Sequence, residues 1–184
     1  ADPRADEAHP AFSNLFVRAE WQGEQQALLF ERTPRLATER GLQAAHFLAD
    51  TDPQVVSVRL QTDRQHWLGR NRSTHQPQAS FEHLPADDIG TQAALDTGLD
   101  PVCAMAVRLR IEPQGKAMLT FATTASDNGG TLRAVIDKYR QTSHVKRASL
   151  MSATLAGIRF RTLRISTENF DAIQTLTTAL VLTL

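Results

Sequence analysis

A short stretch of this chain carries a high density of side chains that bind ligands. It reads Arg64-Gln65-His66-Trp67-Leu68-Gly69-Arg70-Asn71-Arg72 and follows a strand-like run at residues 55–60. Guanidinium groups hold hydroxyl, carboxylate and phosphate groups through paired hydrogen bonds, and an indole presents a flat apolar face for stacking. The pattern is typical of a site for a polyhydroxylated or anionic ligand.

The same stretch also fits a purely structural role. Trp67 and Leu68 can anchor a loop in the hydrophobic core while the arginines lie in water, where most surface arginines are found. The residues by themselves leave both interpretations open.

Composition limits the class of ligand. The chain has 184 residues, of which 41% are apolar and 22% charged, which suits one globular domain with a hydrophobic core. Twenty basic residues balance twenty acidic ones, whereas nucleic-acid and anionic-membrane binders need a basic excess. A local arginine cluster on a neutral chain favours a discrete ligand, so we expect no nucleic-acid partner.

No motif for metal, cofactor or catalytic chemistry is recognisable. The six histidines are scattered, and the chain contains no HExxH, CxxC or phosphate-binding glycine loop. The single cysteine, Cys103, lies in the apolar run 102–107, which predicts a buried and unreactive thiol. Asp63 beside Arg64 fits an ion-paired turn residue, and Asp100-Pro101 a turn before a strand, better than a glycosidase carboxylate pair. We expect no metal, no cofactor and no catalytic residue.

No segment predicts membrane insertion. The most apolar run, residues 179–184, is far shorter than the roughly 20 residues that a transmembrane helix needs. Residues 1–8 are polar and form a lead-in or linker, without the pattern of a signal peptide. We therefore expect a soluble fragment without direct membrane contact.

The first two-thirds of the chain alternates apolar and polar residues in the manner of β-strands. Turn residues separate the runs and predict three hairpins, formed by residues 15–21 with 27–32, 43–48 with 55–61, and 102–111 with 116–123. The polar segment 73–98 between the second and third hairpins predicts a long surface excursion.

Helical periodicity begins after residue 130. Leu132, Val135, Ile136 and Tyr139 recur at helical spacing behind the segment 127–130 (Asp-Asn-Gly-Gly), which supplies capping chemistry. A last helix is predicted to start at residue 166 or 167. Strands first and helices last is the order expected for an antiparallel sandwich followed by a helical linker.

Several short motifs resemble one protein family in their order along the chain. They are His9-Pro10-Ala11-Phe12-Ser13-Asn14, then Thr62-Asp63-Arg64 with Leu68-Gly69-Arg70, then Leu99-Asp100-Pro101-Val102. Together they resemble the β-rich domain that begins the phosphorylase-like module of glycoside hydrolase family 94, formerly glycosyltransferase family 36. Within the family, the resemblance is to the C-terminal portions of cyclic β-1,2-glucan synthases and covers residues 9–184.

The resemblance implies a mainly β fold, an antiparallel β super-sandwich of the galactose mutarotase type followed by C-terminal linker helices. It divides the chain into a lead-in at 1–8, a β-sandwich domain at 9–125 and a helical linker at 126–184. In the family the linker leads into an (α/α)₆ barrel that carries the catalytic aspartate. The resemblance therefore assigns no catalytic residue to this chain.

Three functions are compatible with the resemblance. The first is a non-catalytic accessory domain of a glucan synthase or phosphorylase-like protein, in which the arginine-rich stretch contacts glycan or the barrel. Its candidate ligand-binding side chains are Arg64, His66, Trp67, Arg70, Arg72 and Trp21. The second is a structural scaffold or dimerisation domain without sugar contact. The third, a mutarotase-like epimerase, requires His46, His66 or His83 to face a carboxylate in one pocket.

The resemblance also implies partners and a location. The partners would be a β-glucan oligosaccharide, the helical barrel of the same parent chain and a second copy in a homodimer. The parent would be a membrane-anchored bacterial synthase, with this domain on the cytoplasmic face of the inner membrane.

Overall fold

The computed structural model of the chain describes residues 7–50, 53–78, 84–85 and 92–182. Its strands are β1 Val17–Gln22, β2 Ala27–Arg32, β3 Leu42–Asp50, β4 Val55–Asp63, β5 Leu84–Pro85, β6 Gln92–Leu95, β7 Pro101–Leu109 and β8 Thr120–Ser126. Its helices are α1 Pro10–Asn14, α2 Arg64–Leu68, α3 Gly129–Tyr139, α4 Thr142–Leu163 and α5 Thr167–Leu182.

The strands form two antiparallel sheets. The larger sheet has the order β6-β1-β2-β3-β8, and the smaller one has the order β5-β4-β7. Helices α3 to α5 follow the last strand. This arrangement confirms the predicted fold class, which is mainly antiparallel β with C-terminal helices and fits a super-sandwich.

The first predicted hairpin is confirmed. β1 and β2 pair from Val17 opposite Arg32 to Gln22 opposite Ala27. A short turn joins them, in which the Gln26 amide donates to the Gly23 carbonyl oxygen over 3.2 Å. This register places Trp21 opposite Leu28 and Ala19 opposite Phe30 on one face of the sheet.

The other two predicted hairpins are wrong. β3 pairs with β2 and β8, while β4 pairs with β5 and β7, so consecutive strands lie in different sheets. β7 and β8 are separated in the same way. Turn residues look alike whether the chain folds back onto its neighbour or crosses to the facing sheet. The choice depends on which apolar faces meet, and local sequence does not contain that information.

The core between the two sheets is built around a tryptophan. Trp21 lies opposite Leu28 on the larger sheet, and both pack with Leu60 of the smaller sheet in one buried cluster. Phe30 and Met105 are partly buried against this cluster. Burial of such large apolar side chains contributes about 2–3 kcal/mol each, so this cluster is a principal source of stability for the sandwich.

Helix α3 covers the opposite face of the larger sheet. Its residues Leu132 and Ile136 are almost completely buried, and the helix contacts β3 and β8. Phe47 on β3 is equally buried and points away from the inter-sheet core, since it alternates with its neighbour His46. The Asn128 side-chain oxygen accepts from the Thr131 amide over 2.9 Å, which confirms the predicted helix cap.

The chain divides into two compact units, Ala1–Thr142 and Ser143–Leu184. The first contains both sheets and α3. In the second, α4 and α5 meet through the rings of Phe160 and Phe170, whose centroids are 4.3 Å apart. The Ser166 hydroxyl accepts from the Asn169 amide over 3.2 Å, as predicted for the start of the last helix. The boundaries 9–125 and 126–184 stay predictions, and α3 lies in the first unit.

Within the described ranges, none of the helices is both long and apolar enough to cross a bilayer.

Candidate functional site

The arginine-rich stretch begins with a helical turn that Asp63 caps. Asp63 ends β4 in extended conformation, and its Oδ1 accepts from the amides of Gln65 at 2.8 Å and His66 at 3.4 Å. These bonds satisfy two amides that a helix start leaves without partners. The stretch predicted as a loop therefore contains the one-turn helix α2, fixed to the end of a buried strand.

The other oxygen of Asp63 holds a histidine. Asp63 Oδ2 lies 3.0 Å from His66 Nδ1, and the two side chains are 10% and 76% exposed respectively. A buried carboxylate thus orients an imidazole ring that faces solvent. Within the described ranges, His66 Nε2 has no hydrogen-bond partner.

The motifs that carry the family resemblance lie together in space. The Arg64 amide donates to the Asp100 carbonyl oxygen over 3.0 Å, and Arg64 Nε pairs with Asp100 Oδ2 at 3.0 Å. Asn14 Nδ2 donates to the Leu99 carbonyl oxygen over 3.1 Å. Three segments distant in sequence are therefore joined by capping, turn and ion-pair contacts.

Gly98 allows the chain to approach Asp63 closely. Its φ is +53°, and a Cβ atom at this position would lie 2.6 Å from Asp63 Oδ2. The positive φ and the lack of space both require glycine here. Gly98 therefore lies directly against the buried carboxylate.

The chain turns sharply after α2. Gly69 has a φ of +72°, and the Gln78 amide donates to the Leu68 carbonyl oxygen over 2.9 Å. Asn71 also adopts a positive φ, of +61°. Arg70 and Arg72, on either side of Asn71, are exposed. They therefore project from a turn whose base is held by backbone hydrogen bonds.

The candidate ligand-binding side chains are not all brought together. His66, Arg70 and Arg72 are exposed near one another in sequence, Trp67 is half-buried, and Arg64 is engaged by Asp100. Trp21 is 4% exposed and lies in the core cluster. Because core side chains cover its indole faces, Trp21 cannot stack on a sugar.

Trp67 lines a groove at the open side of the sandwich. The groove encloses about 530 Å³ and lies next to the edge strands β7 and β8. Its lining is mostly apolar and consists of His46, Trp67, Pro77, Cys103, Ala104, Met105, Ala106 and Phe121. Neither the four candidate residues Arg64, His66, Arg70 and Arg72 nor Trp21 contributes to it. The groove is therefore distinct from the surface that carries these arginines.

Two stacked rings line the groove. The rings of His46 and Phe121 are nearly parallel, at 8°, with centroids 5.7 Å apart, and Phe121 is 45% exposed. His46 Nδ1 lies 2.9 Å from Thr123 Oγ1, and burial lowers the pKa of His46. The imidazole is therefore neutral at pH 7 and acts as part of an apolar wall.

The sequence patterns do not indicate this pair of rings. His46 and Phe121 are neighbours only because β3 pairs with β8, and the predicted pairings placed these strands apart. The alternation along each strand did indicate which residues share a face, but the partner strand was needed to bring the rings together.

Cys103 is exposed in the wall of the groove, which corrects the prediction of a buried thiol. The surrounding protein still desolvates the sulfur, which raises the pKa of the thiol to about 11. The thiol is accordingly protonated at neutral pH. A protonated thiol is a poor nucleophile and a poor metal ligand.

The geometry offers little support for metal binding or epimerase chemistry. Among the residues with described positions, no group of three or more His, Cys, Asp and Glu side chains could hold a metal ion. His66 does face a carboxylate, but Asp63 is engaged in capping and the ring is exposed outside the groove. His46 faces a hydroxyl, and His83 lies outside the described residues.

Comparison with known proteins gives two matches. The family model described as "Glycosyl hydrolase 94, supersandwich domain" matches residues 1–142, the same range as the first compact unit. The chain is also similar to a protein of Rhizobium meliloti (strain 1021) named cyclic beta-(1,2)-glucan synthase NdvB. The two are 24% identical over 174 residues, which is 94% of this chain but only 6% of that protein.

Proposed function

The chain belongs to glycosyl hydrolase family 94 as a supersandwich domain, and on this premise we propose that it is a non-catalytic accessory domain of a β-glucan synthase or phosphorylase-like enzyme. The observation that carries the proposal is the family match over residues 1–142. The similarity to a protein named as a cyclic β-(1,2)-glucan synthase supports glucan as the substrate of the parent. Because the chain spans 6% of that relative, the activity of the parent is itself part of the proposal.

The non-catalytic role agrees with how the carboxylates are used. Asp63 caps α2, and Asp100 pairs with Arg64. A glycosidase needs two carboxylates that face each other across the scissile bond and are available to acid–base chemistry. Carboxylates committed to capping and ion pairing do not meet that need, so we place the chemistry in the helical barrel expected for the family.

The glucan contact that we propose is formed by His66 on α2 and by Arg70 and Arg72 on the turn that follows α2. These three side chains are exposed, and the base of the turn is fixed through Asp63 and Gln78. Arginine forks donate several hydrogen bonds in a fixed geometry, which suits adjacent sugar hydroxyls. A rigid base lowers the entropy lost when such side chains bind.

We further propose the setting that the family resemblance implies. The domain contacts the barrel of its parent chain or a second copy, and the parent is anchored in the bacterial inner membrane with this module on the cytoplasmic side. Detection of the module by protease protection in inverted and right-side-out membrane vesicles would test that orientation.

Calorimetric titration of the domain with linear β-1,2-glucooligosaccharides tests the sugar contact. We expect binding that weakens about 10-fold in Arg70→Ala, because a hydrogen bond from a charged group is lost. Arg133→Ala is the matched control, since Arg133 is an exposed arginine on α3 in the same unit. Absence of binding at millimolar sugar, with the domain folded, would reject the sugar contact.

A scaffold without sugar contact is the second candidate, and one observation favours it. The motifs that resemble the family form contacts with one another, Asn14 with Leu99 and Arg64 with Asp100, rather than a surface open to ligand. This function predicts that substitutions in the motifs lower stability, whereas substitution of the exposed Arg70 has no measurable effect.

A further inference from the structure

Asp63 and His66 form a carboxylate–imidazole pair whose geometry defines the tautomer of the neutral ring. Asp63 Oδ2 lies 3.0 Å from His66 Nδ1. An ionised carboxylate only accepts hydrogen bonds, so Nδ1 must carry the proton. In the neutral ring Nε2 then holds a lone pair and acts as a hydrogen-bond acceptor.

The carboxylate is held too firmly to adapt to the ring. Its Oδ1 accepts from the Gln65 amide over 2.8 Å, and Gly98 packs against both of its oxygens. The Asp63 amide itself donates to Gln61 Oε1 over 3.0 Å. The position of Oδ2 is thus set by the end of β4 and the start of α2, and the ring follows it.

The neighbouring arginine side chains lack a hydrogen-bond acceptor, which this histidine supplies. Arg70 and Arg72 lie on the turn after α2 and are exposed, and a guanidinium group has five N–H donors and no acceptor. A sugar hydroxyl both donates and accepts. A surface that is to bind hydroxyls beside arginines therefore needs an acceptor, and His66 Nε2 is one.

We propose that Asp63 is a positioning residue that fixes His66 as the Nδ1–H tautomer, so that Nε2 accepts a hydrogen bond from a hydroxyl group of the bound glucan. The identity of the ligand rests on the proposed function. The tautomer of the neutral ring does not rest on the proposed function, because it follows from the contacts of Asp63 alone.

The first experiment is nitrogen-15 NMR of the histidine rings in the intact chain, at a pH at which the spectrum shows neutral rings. We expect His66 in the Nδ1–H form, although an unrestrained imidazole side chain favours Nε2–H. The His66→Ala variant assigns the signals. His46 is an internal control, since its Nδ1 faces a hydroxyl of Thr123 and not a carboxylate.

The decisive variant is Asp63→Asn. The asparagine oxygen can keep the cap on α2, while its NH₂ group donates to Nδ1 and reverses the tautomer. We expect His66 to change to Nε2–H and the affinity for β-1,2-glucooligosaccharides to fall about 3- to 10-fold. Asp137→Asn removes the same charge from an exposed position on α3 and should change neither result.

The outcomes separate this proposal from the proposed function. A wild-type His66 in the Nε2–H form, or glucan binding that Asp63→Asn and His66→Ala leave unchanged, would overturn the role of the Asp63–His66 pair while the sugar contact through Arg70 still stands. Lack of any glucan binding by the wild-type chain would overturn the sugar contact itself. If Asp63→Asn does not fold, His66→Ala decides the binding question, because this side chain is 76% exposed.

Discussion

At the residue scale, Asp63 of the Thr62-Asp63-Arg64 motif has a mainly structural role. One oxygen caps α2 and the other orients His66, while the whole carboxylate packs on Gly98. A buried carboxylate is stable only when hydrogen bonds replace its hydration. Here those bonds come from the amides of Gln65 and His66 and from the His66 ring, all within one turn of Asp63.

Substitution of Gly98 by alanine should destabilise the first unit. The positive φ and the short approach of a new Cβ to Asp63 together should lower the free energy of unfolding by more than about 1 kcal/mol. Urea denaturation followed by tryptophan fluorescence measures this. Gly157→Ala is the control, because Gly157 lies in the second unit with open space around it, so this variant should leave the transition reported by Trp21 and Trp67 unchanged. Equal effects of both variants would contradict the argument.

The thiol of Cys103 should react slowly despite its exposure. Burial of the surroundings raises its pKa from 9.0 to about 11, so little thiolate exists at neutral pH. Labelling with iodoacetamide should be much slower in the folded chain than in the same chain unfolded in urea. Equal rates in the two states would contradict the raised pKa.

The raised pKa of Cys103 also predicts how the free energy of unfolding depends on pH. The contribution of the protonated thiol to this free energy is fully present below pH 9.0 and is lost as the pH rises toward about 11, because the unfolded state releases the proton first. Denaturation of Cys103→Ser, which lacks a group titrating there, should show a smaller loss across this range.

At the scale of elements, the sequence predicts the positions of the strands better than it predicts which strands pair. Alternation located β3 and β4 close to their observed bounds, yet these strands lie in different sheets. Strand formation depends on local side-chain periodicity, whereas pairing depends on which faces find a complementary apolar surface. The groove lined by His46 and Phe121 exists only through such pairing.

Helix α3 should be essential to the larger sheet. Leu132 is almost completely buried, and Leu132→Ala should lower the free energy of unfolding by about 2–4 kcal/mol through lost packing and a cavity. Arg133→Ala, one residue further along the helix and exposed, should change it by less than about 0.5 kcal/mol. Thermal or urea denaturation of the two variants compares them directly. A small effect at Leu132 would mean that α3 is not part of the core.

At the scale of the whole molecule, two independent boundaries coincide. The family model matches residues 1–142, and the first compact unit ends at Thr142. A unit with its own core and a continuous backbone can fold without the rest of the chain. The helices α4 and α5 then form a separate unit with no buried residue of their own.

A fragment of residues 1–142 should fold with a thermal midpoint close to that of the full chain. A fragment of residues 1–128 should unfold or aggregate, because it lacks α3 and exposes the face of the larger sheet that carries Phe47. Circular dichroism and size-exclusion chromatography distinguish the two. An unfolded 1–142 fragment would show that the second unit is required for folding.

The sequence by itself determined the fold class, most strand and helix positions, the caps at Asn128 and Ser166, and the family resemblance that the comparison confirmed. These properties depend on periodicity and on short-range hydrogen bonding, both of which are written along the chain. The tertiary structure alone decided that Trp21 is core, that Asp63 binds His66 and packs on Gly98, and that β3 meets β8. Contacts between distant residues depend on which surfaces bury each other, and that selection is a property of the whole fold.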